Sequence, residues 1–270
     1  MAGLSMNEAW NEAAGFAQRN FGTLFTVAAA LIVLPSVFVQ AVAPAPGDSG
    51  GNRLPALLWL VELALNLAGS LAISALAAGR ENVVGAGIRR AFRRLPVMLV
   101  FAVLVILGAM LVLGPIVAAT GLRPEDLLQP TPSLETQRKM SLVIGVFALI
   151  VLPLAARLMV ITPVAAAEDL GPLRSIGRSW RLTAGRFWKL LAFTFLIVLL
   201  TMIVMLVARL VFGLAVSILT GPIEPGSPAA VIHLLLTSLA TTAIGVFVTC
   251  LVARIYVQLA AVPADPVKGI

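Results

Sequence analysis

The chain has 270 residues, 60% of them hydrophobic and 11% charged, with a mean hydropathy of +1.04 and apolar runs longer than a soluble core needs. This composition excludes a soluble globular domain and predicts an all-α polytopic membrane protein, whose connectors are too short to fold on their own. The net charge of +7 does not point to nucleic acid, because the basic residues flank the apolar runs, where the lipid bilayer and its anionic phospholipids are the expected partners.

Ser5 and Glu8 have capping-box spacing, and Met6, Trp10, Ala13 and Phe16 or Ala17 follow at helical intervals, so the chain opens with an amphipathic helix. The first 20 residues carry Glu8 and Glu12 and lack a basic start, so no cleaved signal peptide is expected. The first span is predicted over residues 21–43 with a kink at Pro35. After the Pro/Gly-rich link APAPGDSGGNR, the second covers 54–79 and contains Glu62 and Asn66.

Residues 80–96 predict a short amphipathic helix. Val84, Ile88, Phe92 and Leu95 lie on one side, with Arg89, Arg90, Arg93 and Arg94 around the other. The third span is placed at 97–119, a polar exposed connector at 120–139, and the fourth span, with Pro153 and Arg157, at 140–161.

The next stretch, PVAAAEDLGPLRSIGRSWRLTAGRFWKLL over 163–191, concentrates charge, aromatics and helix breakers in a chain that is otherwise mostly hydrocarbon. Glu168 and Asp169 favour a helix start, Pro172 suits the first helical position and Gly185 is a stop. Leu173, Ile176, Trp180, Ala184 and Phe187 recur at steps of three or four, opposite Arg174, Arg178 and Arg181. With Arg186, Trp188 and Lys189 beside the following apolar run, the pattern predicts an interfacial helix feeding a transmembrane one. The fifth span follows at 190–212 with Arg209 near its far end. After the loop TGPIEPGSP, which contains no Lys or Arg, the sixth covers 230–261.

About twelve Lys and Arg fall in the N-terminal segment, the second and fourth connectors and the C-terminal tail. About four, Arg53, Arg123, Arg138 and Lys139, fall in the opposite loops, so both termini are expected in the cytoplasm. Ungapped alignment places Ile88, Arg90 and Phe92 opposite Ile176, Arg178 and Trp180. A second offset pairs Ala253, Arg254 and Val257 with Ala156, Arg157 and Val160, and Asp265 with Glu168. These matches predict a single domain over 1–270 made of three parallel units, 5–79, 80–167 and 168–270, each an amphipathic helix plus a helical hairpin.

Glu62 lies about 12 Å along the second span, where a carboxylate needs a partner or a path. Asn66, Ser70 and Ser74 follow at steps of four and extend a polar strip, which either hydrogen-bonds to neighbouring helices or lines a route for a solute. Arg209 either snorkels to the headgroups or pairs with Glu62. Arg157 and Arg254 are expected to snorkel to cytoplasmic phosphates, and Ser238, Thr242, Gly245 and Thr249 to form a close-packing face. Cys250 is assigned to packing, and His233 stands near the outer boundary.

One His, one Cys and one Tyr do not assemble a multi-His metal site or a Cys–His dyad, and no phosphate-binding glycine loop is present. No enzyme activity, catalytic residue, metal or cofactor is therefore expected.

The run from Arg157 to Leu191, with ITPVAAAEDLGPLRSIGRSWRLTAGRFWKLL as its core, resembles the membrane domain of bacterial glycerophosphoryl diester phosphodiesterases, which also exists as stand-alone six-span proteins. The resemblance implies a multi-pass protein of the bacterial inner membrane without the hydrolytic barrel. The expected function is non-enzymatic: Arg89, Arg90, Arg93, Arg94, Arg174, Arg178, Trp180, Arg181, Arg186, Trp188 and Lys189 contact the membrane surface and its lipids, and the domain organises lipids or a membrane or cytoplasmic protein partner. The alternative expectation is a transporter or channel for a small solute or lipid, built on Glu62 and Asn66, with Arg209 as the third intramembrane polar group.

Overall fold

In the computed structural model, residues 5–42, 54–81, 83–123, 133–221 and 227–261 are described, and the regular elements among them are all helices. Ser5 caps α1 (Met6–Arg19), its hydroxyl accepting from the Glu8 amide at 3.3 Å, as the capping-box spacing predicts. The other half of the box goes to a distant residue, since the Ser5 N–H donates to Gln258 Oε1 at 3.3 Å. The first helix is thus tied to the last at its opening residue.

The first span, α2 (Phe21–Val42), passes Pro35 without breaking. Residues Ala29–Val33 wind as a π-helical turn, and the Leu34 amide reaches back five residues to the Ala29 carbonyl. The wider turn lies immediately before Pro35, whose ring would clash with the preceding turn of a regular α-helix. The second span, α3 (Leu54–Ala77), ends at Gly79 with φ +69°. There the Gly79 and Arg80 amides donate to the Leu76 and Ala75 carbonyls, the two bonds of a Schellman stop.

Two elements run longer than hydropathy indicates. The amphipathic segment expected at 80–96 is not a separate helix; it forms the first turns of α4 (Val84–Thr120), which continues through Pro96 and Pro115. A helix of that length covers about 55 Å, well beyond a hydrocarbon layer of roughly 30 Å, so its basic first turns stand outside the apolar zone. Likewise α5 (Leu134–Leu158) begins six residues before the expected start of the fourth span, inside the expected connector. Ser133 caps it, and Lys139 pairs with Glu135 at 2.8 Å one turn on. Hydropathy marks where a helix is apolar, whereas caps and backbone bonds decide where it ends.

The chain then turns at Met159 and Val160 into the short buried α6 (Ile161–Ala167) and the surface helix α7 (Pro172–Ala184). Pro172 occupies the first turn of α7 and Gly185 its C-cap, as predicted. Two long helices complete the chain, α8 (Phe187–Thr220) and α9 (Pro228–Ala261). Six helical segments are long and apolar enough to cross a membrane: α2, α3, α4, α5 with α6, α8 and α9. The 43–53 link, residues 124–132, the loop 222–226 and the tail with Asp265 lie outside the described residues.

The core sits at one end of the bundle. Leu71 to Ala77 of α3, Val160 to Ala167 around α6, and Cys250, Leu251, Ala253 and Ile255 of α9 bury there almost completely. α3 packs on α6 and α9, and α6 packs on α9. The surface helices close over this end through small residues one turn apart: Ala9 and Ala13 of α1 against α9, Gly87 and Ala91 of α4 against α3, Ser175, Ser179 and Thr183 of α7 against α5 and α6. α1 therefore docks on the last helix and closes the chain into a ring.

Away from this end the helices separate, and α4 and α8 present rows of Leu, Val, Ile and Met outward. The face expected to pack through Gly245 does not, because a Cβ placed there meets nothing within 4 Å. The close approach is at Gly69 of α3 instead, where a Cβ would lie 2.8 Å from Ile32 Cγ1 in the π turn of α2. Gly69→Ala should therefore destabilise the detergent-solubilised protein by about 1–3 kcal/mol through overpacking. Gly245→Ala should be neutral or mildly stabilising, and equal thermal-unfolding midpoints for the two variants would refute the contact.

Candidate membrane-surface site

The segment between α6 and α7 is held from three sides. Glu168 accepts from Arg178 Nε through both carboxylate oxygens, at 3.1 and 3.2 Å, and the Tyr256 hydroxyl of α9 donates to its Oε1 at 3.0 Å. From α4, Arg90 Nε donates to the Ala166 carbonyl at 2.5 Å and its Nη2 to the Ala167 carbonyl at 3.1 Å. These are carbonyls at the end of α6, where no further helical N–H arrives to bond them, and a guanidinium suits both their lone pairs and the negative end of the helix dipole. Arg94 donates to the Leu170 carbonyl at 3.4 Å and pairs with Asp169, while Arg90 also lies 3.5 Å from Glu81 and 3.8 Å from Asp169.

Three of the arginines expected to face lipid, Arg90, Arg94 and Arg178, therefore turn into the protein. The correction has a simple cause: carboxylates and bare helix-end carbonyls within reach satisfy guanidinium donors in fixed geometry, whereas a headgroup must be recruited. Arg89, Arg93, Arg174, Arg181 and Lys189 stay exposed, and Arg186 is half-buried.

α7 has three faces. At 3.6 residues per turn, Ser175, Ser179 and Thr183 form one stripe, Leu173, Ile176, Trp180 and Ala184 a second, and Arg174, Arg178 and Arg181 a third. The packing face is the hydroxyl stripe and not the apolar one. Ser179 and Thr183 donate to the Arg157 carbonyl at 2.9 and 3.3 Å. Small side chains let α7 approach the end of α5, and their hydroxyls use a carbonyl freed where α5 breaks. The apolar face is left outward, with Leu173 74% and Trp180 46% exposed, and Trp188 beyond it 78% exposed. Sequence periodicity separated an apolar from a cationic face and named no packing face; the i, i+4, i+8 hydroxyls are the signal that could have found it.

Arg157 and Arg254, expected to snorkel, are partly exposed and stack on aromatic rings. The Arg157 guanidinium lies 5.2 Å from the Trp180 ring centroid and 4.4 Å from that of Phe187, and Arg254 lies 5.0 Å from that of Phe16. Each cation is covered by aromatic faces, Trp180 of α7 and Phe187 of α8 over Arg157 and Phe16 of α1 over Arg254. Arg157 Nη1 and Arg254 Nε are buried without a hydrogen-bond partner.

Inside the spans, Asn66 Nδ2 donates to Ser36 Oγ at 3.4 Å and to the Glu62 carbonyl at 3.2 Å, joining α3 to α2. Glu62 is buried with Oε2 unbonded, and the buried Trp59 Nε1 one turn earlier is unbonded too. Ser74 is fully buried in the core. The structure does not bring Glu62 to Arg209. Arg209 is exposed on α8, which packs on α5, α7 and α9, whereas α3 packs on α2, α4, α6 and α9. Measured from Trp188, Arg209 stands about 32 Å along α8, near the opposite interface, so snorkelling is the alternative its position allows. His233 packs beside Gly213 at the α8–α9 contact, where a Cβ on the glycine would lie 3.5 Å from the ring. Tyr256 and the hydroxyls of Ser179 and Thr183 are the site residues that sequence reasoning missed.

A family model described as "Domain of unknown function (DUF7847)" matches residues 4–259. No curated protein and no solved structure matches the chain. Nothing in that description connects it with the phosphodiesterase membrane domain.

The α6–α7 clasp makes a measurable demand on stability. Arg90→Ala leaves two helix-end carbonyls bare and should cost about 1–3 kcal/mol in thermal or chemical unfolding. Glu168→Gln with Arg178→Gln should show a coupling of about 1 kcal/mol in a double-mutant cycle, since the pair is half-exposed. Strictly additive effects would refute that pairing.

Proposed function

The chain belongs to the family described as Domain of unknown function (DUF7847), a description without an activity, and from its surface geometry we propose a non-enzymatic membrane organiser. In this reading it is a multi-pass protein of the bacterial inner membrane with cytoplasmic termini. It engages anionic phospholipids at the cytoplasmic surface and organises lipids or a protein partner there. One observation carries the proposal: α7 turns its hydroxyl stripe to the protein and leaves an apolar face with Leu173 and Trp180 beside a cationic one with Arg174 and Arg181. A helix at the headgroup boundary meets protein, hydrocarbon and anionic water-facing groups at once, and these faces match those environments.

The excess of Lys and Arg on the side of α1 and α7 supports the orientation. The likeness of residues 157–191 to the phosphodiesterase membrane domain supports placing the chain with that stand-alone type. The proposed threefold construction draws support from three surface segments, α1, the first turns of α4 and α7, each lying through small residues on a neighbouring helix, although the second is continuous with its span.

A second reading is favoured by the buried, unbonded Glu62 Oε2 in the span that also holds Asn66. In a transporter or channel, that carboxylate contacts the solute. Both readings are testable in reconstituted protein. Arg174→Glu with Arg181→Glu should reduce the preference for phosphatidylglycerol over phosphatidylcholine by about fivefold or more, at roughly 1 kcal/mol per charge near the surface. An unchanged preference sinks the organiser reading. Loss of solute flux in a folded Glu62→Gln variant with lipid preference intact establishes the second.

A further inference from the structure

Between α2 and α9, on the side of the core end, a groove of about 330 Å³ opens laterally. Its walls are almost wholly apolar: Phe21, Phe25 and Ala29 face Thr242, Ala243 and Phe247 across it. Width comes from small residues on both sides, and the π turn of α2 contributes Ala29 and Val33 to the wall. Such turns displace a helix face locally and are frequent at functional sites. Trp10 of α1 braces the far wall edge-on against Phe247, with ring centroids 4.8 Å apart.

Length and charge specify the occupant. From Phe21 to Val33 the groove follows α2 for about 18 Å, close to the roughly 15 Å of one leaflet's hydrocarbon. It therefore starts at the interface beside α1 and ends near the bilayer centre, as a single acyl chain of that leaflet does. Beyond its interfacial end, Arg254 lies over Phe16, the neighbour of groove-lining Ala17, and its buried Nε has no hydrogen-bond partner. An apolar slot one leaflet deep, with the partly exposed guanidinium of Arg254 beyond its interfacial end, complements an acyl chain joined to a phosphate.

We propose that this groove is a specific site for one anionic phospholipid, an acyl chain lying between α2 and α9 and the phosphate accepting from Arg254. The site deepens the lipid-organising reading and shares with it the preference for anionic headgroups, but it uses none of the α7 residues. Bulk annular lipid exchanges freely and would fill the slot without regard to charge. A built site retains one molecule.

The test is native mass spectrometry of the full chain released from nanodiscs containing equimolar phosphatidylglycerol and phosphatidylcholine. Wild type should retain one phosphatidylglycerol, at least fivefold over phosphatidylcholine. Ala243→Trp, which fills the slot from an exposed position, should lose the retained lipid, and Thr242→Leu should weaken it. Arg254→Gln should keep an acyl-chain adduct but lose the headgroup preference, and Arg254→Lys should restore it. Equal retention of the two lipids by wild type, meaning annular lipid only, overturns the proposal. So does undiminished retention in Ala243→Trp or Thr242→Leu with a wild-type unfolding midpoint. Retention that survives Arg174→Glu with Arg181→Glu but not Ala243→Trp places the retained lipid in the groove and not on α7; the α7 reading fails separately, on an unchanged headgroup preference in that variant.

Discussion

The arrangement depends on close packing where α3, α6 and α9 meet. Lipid tails are as apolar as leucine, so helices in a bilayer gain little by burying hydrophobic surface against each other. They associate where backbones approach closely and hydrogen bonds cross between them. The meeting segments suit this, with Ala68, Ala72, Ala75 and Ala77 on α3, Ala165 to Ala167 on α6 and Ala253 on α9 all buried. Because these ends converge on one side, α4 and α8 both start there, and α1, the first turns of α4 and α7 lie over the joint.

That joint also decides where polarity is tolerated. Arg90, Arg94, Arg178 and Tyr256 converge on residues 166–170, at a helix end whose carbonyls need donors. Arg157 and Arg254 sit just inside and are covered by aromatic rings from α7, α8 and α1. Deeper in the bundle, polar contacts thin to the Asn66 link and the solitary Glu62. Looser packing away from the joint also leaves the lateral slot between α2 and α9. The end that holds the fold together also carries the exposed basic and aromatic residues of α4 and α7, so the close packing and the proposed lipid surface draw on neighbouring side chains.

Much of this was legible in the sequence because membrane physics constrains it strongly. Long apolar runs must be helices that satisfy their own backbone, and the six spans follow from that requirement. The Ser5 cap, the Pro172 start and the Gly185 stop are local chemistry and were found where the residues place them. Helix ends were less legible, as α4 and α5 show, because hydropathy falls before hydrogen bonding does. The partners of the arginines were not legible at all. Arg178 beside Glu168 and Arg174 exposed look alike in a charge pattern, and what separates them is which carboxylate the turn after α6 brings near.

The sequence by itself determined the number of spans, the amphipathic character of the surface segments and the rank of 163–191 as the best-marked of them. Those properties rest on composition and short-range periodicity, which each segment carries alone. Tertiary structure decided the rest: that α1 closes on α9, that α7 packs by its hydroxyls and leaves its apolar face free, and that Glu62 and Arg209 stay apart. Such choices depend on which backbones approach within hydrogen-bonding distance, a property of pairs of segments that neither one carries alone.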